Sequence, residues 1–302
     1  MSTQTSETNI ISNINEIQYK DEERRYHGNE NAGYILPEDE IENDRMHMQH
    51  YCIKTFFGGN FDAPIEELLQ QGITVLDSGC GPGAWTLDMA KMYPASKFHG
   101  VDISEVFPTE IKPNNVEFQV HNIAKSIPFP DNYFDYIHQR LLCMGLRKEE
   151  WSFVINNFMR ALKPGGWFEL TECTSPEMIN QGPKMSILME ALSEVAKIKN
   201  LVPDISQHLE RLMKEAGATN IIKKELSTPV NHTNKAGELL WKDFSMLYTA
   251  MRPIVSKKNP ELTSEEAYRQ FLNEAGEECK EYKTAFIWVR CYGQKSETIA
   301  GK

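Results

Sequence analysis

The sequence predicts an α/β fold, a doubly wound Rossmann-like sheet, from three observations. Short apolar runs alternate with amphipathic stretches through the centre of the chain, as they do in sheets with helices on both faces. The apolar run of VLDSGCGPGAW, residues 75–85, passes into a glycine-rich turn, which is how a buried strand of such a sheet leads into a helix. LKPGGWFELTE, residues 162–172, places a second glycine turn before another apolar run.

The elements follow in chain order. The first helix begins near Pro37, which two acids follow, and ends at Gly58, because these residue types favour a helix start and a helix end. We predict strands at residues 73–77, 97–102, 116–120, 134–138, 167–172, 219–228 and 284–292. We predict helices at residues 149–162, 184–199 and 205–216. Another helix begins at a capping box formed by Thr263 and Glu266.

Composition divides the chain into a tail and one domain. Residues 1–25 are rich in Asn, Ser, Thr and Glu, which predicts a flexible tail. We expect a single domain over residues 26–295, in which the cofactor-binding core covers 70–175 and residues 26–60 precede it. Residues 230–283 form a helical insertion before the last strand, and we expect this insertion to pack over the ligand edge of the sheet.

Charge and apolar patterning exclude several classes of partner. The net charge of −11 argues against a broad phosphate-binding face, so we expect no nucleic-acid partner. Residues 1–30 are polar and acidic, and no apolar run reaches membrane length, so we expect neither a secretory signal nor a membrane partner. Six cysteines without a CxxC pair indicate reduced thiols. These features predict a cytoplasmic protein, with a nuclear location as the alternative.

The first glycine turn, together with a later acid, predicts a site for a nucleoside cofactor, with a tight structural turn as the alternative. Gly79, Gly81 and Gly83 let bare backbone approach a ligand where a Cβ would clash. Asp102, nineteen residues after Gly83, can accept hydrogen bonds from ribose hydroxyls. However, Gly79, Gly81 and Ala84 also satisfy the dinucleotide fingerprint GxGxxG/A, and NAD would use Asp102 equally well. These residues alone leave the cofactor open between S-adenosylmethionine and NAD.

Asp77 favours S-adenosylmethionine. Its carboxylate ends the first strand close to where a pyrophosphate would rest on the helix N-terminus, and it would repel that dianion. S-adenosylmethionine carries a sulfonium and an ammonium group instead, and both favour an anionic strand end. Backbone N–H groups of the turn at residues 79–83 can bind the carboxylate of this cofactor.

Four other positions near strand ends have two interpretations each. Asn122 can bind the adenine amino group with Ile123 against the ring, or it is a plain turn residue. His138 is the candidate general base, and the alternative is a histidine that packs or hydrogen-bonds beside the cofactor. Glu172 can orient an acceptor or bind a backbone amide. Arg140 is expected to form a structural ion pair rather than a substrate contact.

Two other patterns are assigned no chemistry. Trp241, Phe244 and Tyr248 follow helical spacing, which favours a buried stripe over an aromatic cage around a substrate. Four histidines show no metal-ligand spacing with a third group, so we expect no metal; they are His27, His47, His50 and His99.

Taken in order, VLDSGCGPG, GVDIS, FDYIHQR and LKPGGWFELTE resemble the class I S-adenosylmethionine-dependent methyltransferases. The segments RRYHG, YILPEDEIENDRMHMQH, FDYIHQRLL and CYGQK narrow the resemblance to the fungal LaeA-like group. Some members of that group regulate secondary metabolism, and others modify small molecules. The resemblance is close over about residues 70–175.

The resemblance implies a seven-stranded sheet of order 3-2-1-4-5-7-6 with an antiparallel last strand. It implies cofactor contacts at Asp77, Gly79, Gly81, Gly83, Asp102, Ile103, Asn122 and Ile123. It also implies that residues 26–60 form a lid over the cofactor, through Tyr26, Tyr34 and Arg45, with core packing as the alternative role of the two tyrosines. The chain departs from the class at Asn122, where an aspartate is common, and it lacks the Asn/Asp-Pro-Pro-Tyr motif of nucleobase and protein-amide methylation after the fourth strand.

The leading hypothesis is a methyltransferase that uses S-adenosylmethionine to methylate a small molecule, with O-methylation favoured. The alternative is a cofactor-binding regulator of secondary metabolism that acts with a protein partner in a nuclear complex. The remote alternative is an NAD-dependent oxidoreductase, which Asp77 and the downstream motifs disfavour.

Overall fold

One mixed sheet forms the centre of the computed structural model, which describes residues 37–174 and 177–297. Its strands are β1 (Thr74–Ser78), β2 (Lys97–Asp102), β3 (Val116–Val120), β4 (Phe134–Arg140), β5 (Leu162–Cys173), β6 (Thr219–Pro229) and β7 (Ala285–Gln294). Their order is β3-β2-β1-β4-β5-β7-β6. Strands β1 to β5 pair in parallel, whereas β7 runs antiparallel to β5 and β6. The predicted fold class, the strand order and the antiparallel last strand are therefore confirmed.

Helices surround this sheet. They are α1 (Glu40–Phe57), α2 (Glu66–Gln71), α3 (Ala84–Met92), α4 (Lys148–Ala161), α5 (Pro183–Ile198), α6 (Leu209–Glu215), α7 (Lys235–Ala250), α8 (Arg252–Lys258) and α9 (Glu265–Tyr282). The side chain of Asp39 caps α1 by accepting a hydrogen bond from the Glu42 N–H. Gly58 ends α1 with φ of 73°, a backbone conformation that favours glycine. Pro37 and Gly58 thus bracket the first helix as predicted.

The capping box predicted for α9 is wrong by one residue. Ser264 is the N-cap, and its hydroxyl accepts the N–H of Ala267 at 3.2 Å. Thr263 instead donates its hydroxyl to the carbonyl of Pro260 at 2.6 Å. Ser and Thr are both favoured N-cap residues, so the sequence TS before two acids does not by itself say which residue is the cap.

Strand β4 is longer than predicted, and this extension shapes the ligand edge. It continues two residues beyond His138, and Gln139 still pairs with Ser78 of β1. Arg140 therefore stands at the carboxyl end of β4, directly beside the start of the glycine turn. Because β1 lies between β2 and β4, the direction of strand succession reverses there, and ligands of open α/β sheets bind in the crevice at that point.

Two packing units flank the crevice. The sheet carries its own apolar core, and a second apolar cluster is formed by residues of α1, α5, α7, α9 and β7. Helix α1 packs against α7, so the N-terminal segment and the insertion cover the carboxyl edge of the sheet together. Tyr26, Tyr34 and the predicted tail at 1–25 lie outside the described residues. Within the described ranges, no helix is long and apolar enough to cross a membrane.

Candidate cofactor and acceptor site

The turn between β1 and α3 depends on glycine at three positions. Gly79, Gly81 and Gly83 have φ of 69°, 53° and 80°, in the region that side chains rarely adopt. A Cβ on Gly83 would lie 2.5 Å from the ring of Phe118, so the ring itself excludes a side chain there. The Gly79 N–H donates to the carbonyl of Val101 at 2.8 Å and ties the turn to β2. Gly79 and Gly81 line the cavity described below as bare backbone.

Asp102, at the end of β2, also braces this turn. One carboxylate oxygen accepts the N–H of Gly81 at 2.8 Å, and the other accepts the N–H of Ser104 at 3.0 Å. Burial raises the pKa of Asp102, and these backbone donors oppose the rise. The side chain lines the cavity together with its neighbour Ile103. Since a carboxylate oxygen has two lone pairs, Asp102 can still accept hydroxyl groups of a ligand.

Asn122 and Ile123 line the cavity beyond the end of β3. The side-chain oxygen of Asn122 accepts the N–H of Ala124 at 2.9 Å, which is the bond of a turn residue. Asn122 also forms part of the cavity wall. The turn interpretation of Asn122 is confirmed, a contact with adenine stays a prediction, and Ile123 supplies an apolar surface beside it.

Asp77 and His138 lie together behind the cavity wall. Asp77 accepts the Thr86 hydroxyl at 2.5 Å with one oxygen and bonds His138 Nδ1 at 2.9 Å with the other. The His138 ring stacks on Trp85 with centroids 3.8 Å apart and planes 4° apart. Burial lowers the pKa of His138 to about 4, although Asp77 opposes this. The ring is thus neutral with its proton on Nδ1, and it is 1 % exposed, an arrangement that favours the packing interpretation over a base.

Arg45 joins α1 to α7 through two carboxylates. Its Nε and Nη2 donate to Glu42 at 2.9 and 2.6 Å, and its Nη1 donates to Asp243 at 2.7 Å. All three side chains are buried. Burial raises the pKa of Asp243, and Arg45 opposes that rise. Arg45 lines the cavity, so it holds the cover of the site in place as well as facing the ligand space.

Arg140 differs from the sequence-based expectation of an ion pair. Among the described residues no carboxylate lies within 4 Å of it, and its one hydrogen bond joins Nη1 to His50 Nδ1 at 3.0 Å. His50 Nε2 in turn bonds Asp88 at 3.2 Å. Burial, together with the charge of Arg140, lowers the pKa of His50 to about 3, so this imidazole is neutral. Arg140 lines the cavity.

Of the two roles predicted for Glu172, orienting an acceptor or binding a backbone amide, the structure shows the second. Its carboxylate accepts the N–H groups of Leu142 and Cys143 at 2.8 and 3.1 Å. Burial raises the pKa of Glu172 to about 8, and the two N–H donors oppose this rise. The side chain is fully buried, so Glu172 fixes the loop after β4, whose residues form part of the cavity wall.

A cavity of about 250 Å³ runs from the glycine turn to the second apolar cluster. Its outer part is lined by the turn, Asp102 and the loop after β3. Its inner part, which we call the apolar wall, consists of Met178, Met189, Leu192, Phe244, Leu247, Tyr248, Phe286 and Trp288. The helical stripe in the sequence identifies Phe244 and Tyr248 as buried, but only the packing of α7 shows that they face ligand space. Trp241 packs against Gly276 instead.

Two thiols of the site lie close together. Cys143 and Cys173 both line the cavity with sulfur atoms 3.7 Å apart. The neighbouring thiol and burial raise the pKa of Cys143, so it stays protonated at neutral pH. Within residues 37–174 and 177–297, no group of three His, Cys, Asp or Glu side chains could hold a metal ion.

Comparisons with known proteins show similarity to methyltransferases. A family model described as a methyltransferase domain matches residues 75–166. The methyltransferase pytC of Aspergillus terreus is 30 % identical over 238 residues, which cover 76 % of this chain and 71 % of that protein. The N-methyltransferase verN of Clonostachys rogersoniana is 28 % identical over 275 residues, or 87 % and 93 % of the two chains. The secondary metabolism regulator laeA of Coprinopsis cinerea is 31 % identical over 161 residues, or 52 % and 40 %.

Proposed function

Because the chain belongs to the class I S-adenosylmethionine-dependent methyltransferases related to the LaeA group, we propose that it methylates a nitrogen of an apolar small molecule held in the cavity. Its cofactor is S-adenosylmethionine, which supplies an activated methyl group on a sulfonium. The residues fit this group. At Gly79 and Gly81 the cavity wall is bare backbone. Asp102 offers a carboxylate to ribose hydroxyls, and Ile123 offers an apolar surface to the adenine ring.

The apolar wall is the main observation from which we infer the chemical class of the methyl acceptor. Its polar groups are already satisfied within the protein: the Tyr248 hydroxyl donates to the Met189 sulfur at 3.0 Å, and the Trp288 N–H donates to Thr228 at 2.9 Å. A ligand entering this part of the cavity therefore gains burial of apolar surface and few hydrogen bonds. This favours an acceptor with an apolar or aromatic body.

The protonation states around the cavity favour nitrogen as the accepting atom. A hydroxyl has to lose its proton to attack well, and this requires a nearby base. His138 is buried behind the wall and bonded to Asp77, and burial raises the pKa of Tyr248. A neutral nitrogen with an available lone pair attacks without prior deprotonation. Orientation of the acceptor within the cavity would then supply the rate enhancement, about 7–11 kcal/mol in well-aligned systems.

The names of two relatives differ in what they say about the accepting atom. The verN protein is named an N-methyltransferase, and its similarity extends over 87 % of this chain. The pytC protein is named a methyltransferase without an accepting atom. O-methylation, which the sequence-based hypothesis favours, remains the competing proposal for the accepting atom.

Isotope transfer separates these proposals. The purified full-length chain is incubated with S-adenosylmethionine carrying a ¹³C methyl group and a small-molecule extract of the source organism. We expect a labelled product whose methyl carbon has the chemical shift of an N-methyl group. An O-methyl shift would contradict the choice of nitrogen and leave the methyltransferase assignment intact. Boiled protein and an excess of S-adenosylhomocysteine are the controls.

A second candidate function is a cofactor-binding regulator in a nuclear complex. The similarity to proteins named secondary metabolism regulators supports it, but this similarity covers about half of the present chain. A regulator of this kind would be recovered with a stable protein partner and would leave small molecules unlabelled. A single purified chain that labels a small molecule would argue against it.

A further inference from the structure

Two arginines line the cavity, and their surroundings differ. Arg45 is neutralised by two carboxylates, from Glu42 and Asp243, at 2.6 and 2.7 Å. Arg140 has a neutral imidazole, that of His50, as its only hydrogen-bond partner among the described residues. Burial lowers the pKa of Arg140 to about 10, which still leaves its guanidinium charged at neutral pH.

The described surroundings of Arg140 hold it in place while using one of its N–H donors. An arginine has five N–H donors in a planar fork, and Arg140 gives one of them to His50. His50 is fixed in turn by Asp88, which also accepts Lys54 at 2.6 Å and Asn60 at 2.7 Å. These contacts anchor the imidazole that orients the guanidinium. The other donors of Arg140 have no protein acceptor within the part of the chain that the structure describes.

A partly buried cation loses part of its hydration, and this loss is costly where no carboxylate compensates for it, as is the case for Arg140 among the described residues. The neighbouring strand pairing places Arg140 beside the glycine turn, since Gln139 pairs with Ser78 and Gly79 follows Ser78. Gly79 and Arg140 both line the cavity. The cation therefore faces the cavity in which the assigned cofactor would bind, at the end of the sheet where the turn offers bare backbone.

We propose that Arg140 binds the carboxylate of the methionine portion of the cofactor, and that His50 orients the guanidinium for this contact. The proposal rests on the assigned cofactor and not on the identity of the acceptor, so it can fail or hold independently of N-methylation. The same chemistry would suit a carboxylate of the acceptor, and a binding experiment without acceptor separates the two sources.

The test removes the carboxylate from the ligand and the guanidinium from the protein. Calorimetry measures the binding of S-adenosylhomocysteine and of its decarboxylated analogue, 5′-(3-aminopropylthio)-5′-deoxyadenosine, to the wild-type chain and to Arg140→Met. We expect the wild type to bind the decarboxylated analogue at least about tenfold more weakly, as for loss of a charge-assisted hydrogen bond. We expect Arg140→Met to bind both ligands with similar, weak affinity.

Arg140→Lys should recover part of the difference between the ligands, since it keeps a charge without the planar fork. Arg211→Gln, which removes one cation from an exposed pair on α6, is the matched control and should behave as wild type. Equal binding of both ligands to the wild type would overturn the proposal, and this result does not depend on any variant folding. An unchanged preference for the carboxylate in a folded Arg140→Met variant would overturn it as well.

Discussion

Asp77 on β1 and His138 on β4 are paired residues of adjacent strands, and their side chains meet at 2.9 Å between Oδ1 and Nδ1. The pair lies behind the cavity wall, where Trp85 stacks on the imidazole. We propose that it supports the floor of the cofactor site. This role replaces proton transfer as the more direct explanation for a histidine at the end of β4.

His138→Ala tests this role. Loss of the stacked ring leaves a cavity and leaves one oxygen of the buried Asp77 carboxylate without its donor, so we expect the free energy of unfolding to fall by about 2–4 kcal/mol in urea titrations. His138→Asn keeps a donor to Asp77, so its free energy of unfolding should fall less. A variant that unfolds like wild type but loses turnover, with S-adenosylhomocysteine binding intact, would identify His138 as a base instead.

The pH dependence of stability reports on Glu172. Its folded-state pKa of about 8 exceeds the ordinary value of 4.5, so the folded state holds a proton that the unfolded state has lost between those values. Stability therefore falls as pH rises through this window. The lowered pKa values of His50 and His138 make stability rise with pH instead, but only below their ordinary pKa of 6.5. The fall due to Glu172 is therefore clearest between about pH 6.5 and 8.

Glu172→Gln should remove this slope. Chemical denaturation at several pH values between 6.5 and 8 measures it, with a maximum of about one proton, or about 1.4 kcal/mol per pH unit. The variant loses one of the two backbone bonds and should be less stable at every pH, but with a flatter dependence. The same slope in the variant and the wild type would show that Glu172 is already ionised in the folded protein.

Asp102 should be essential for cofactor binding. Asp102→Ala leaves the N–H groups of Gly81 and Ser104 without their acceptor and removes the partner for ribose hydroxyls, so we expect S-adenosylhomocysteine to bind at least about tenfold more weakly by calorimetry. Asp131→Asn, an exposed carboxylate paired with Arg160, is the control for loss of one negative charge. Unchanged affinity in Asp102→Ala would remove this residue from the site.

Phe244 should set the size of acceptor that the cavity takes. Phe244→Ala enlarges the apolar wall, so we expect the range of labelled products to shift toward bulkier molecules while S-adenosylhomocysteine affinity is unchanged. Phe271 is buried to the same extent in the same cluster but does not line the cavity. Phe271→Ala should lose comparable stability without a change of products; a product shift common to both variants would assign the effect to looser packing.

Much of the core could be predicted because its signals are local. The bounds of β2 and β3 agree with the sequence prediction, and β1 is displaced by one residue. Gly79, Gly81 and Gly83 adopt positive φ, which is the reason glycine is needed there. Asp102 could be singled out because a fixed strand and helix separate it from the turn, so its distance along the chain determines its place in the fold.

The rest depends on contacts between distant segments. Arg45 meets Asp243 across 198 residues, and Arg140 meets His50 across 90. No local pattern records which helices come together over a sheet edge, so the sequence could not say which arginine would be neutralised. The same limit explains why the stripe containing Phe244 indicated burial but not exposure to a cavity.

One measurement tests the central claim that this chain methylates a small apolar molecule. The full-length protein is incubated with radiolabelled S-adenosylmethionine and a whole extract of the source organism, and the label is then separated into organic-soluble, aqueous and macromolecular fractions. We predict that label accumulates in the organic-soluble fraction and that Asp102→Ala abolishes it. Label confined to the macromolecular fraction would contradict the claim, as would no transfer by a protein that binds S-adenosylhomocysteine.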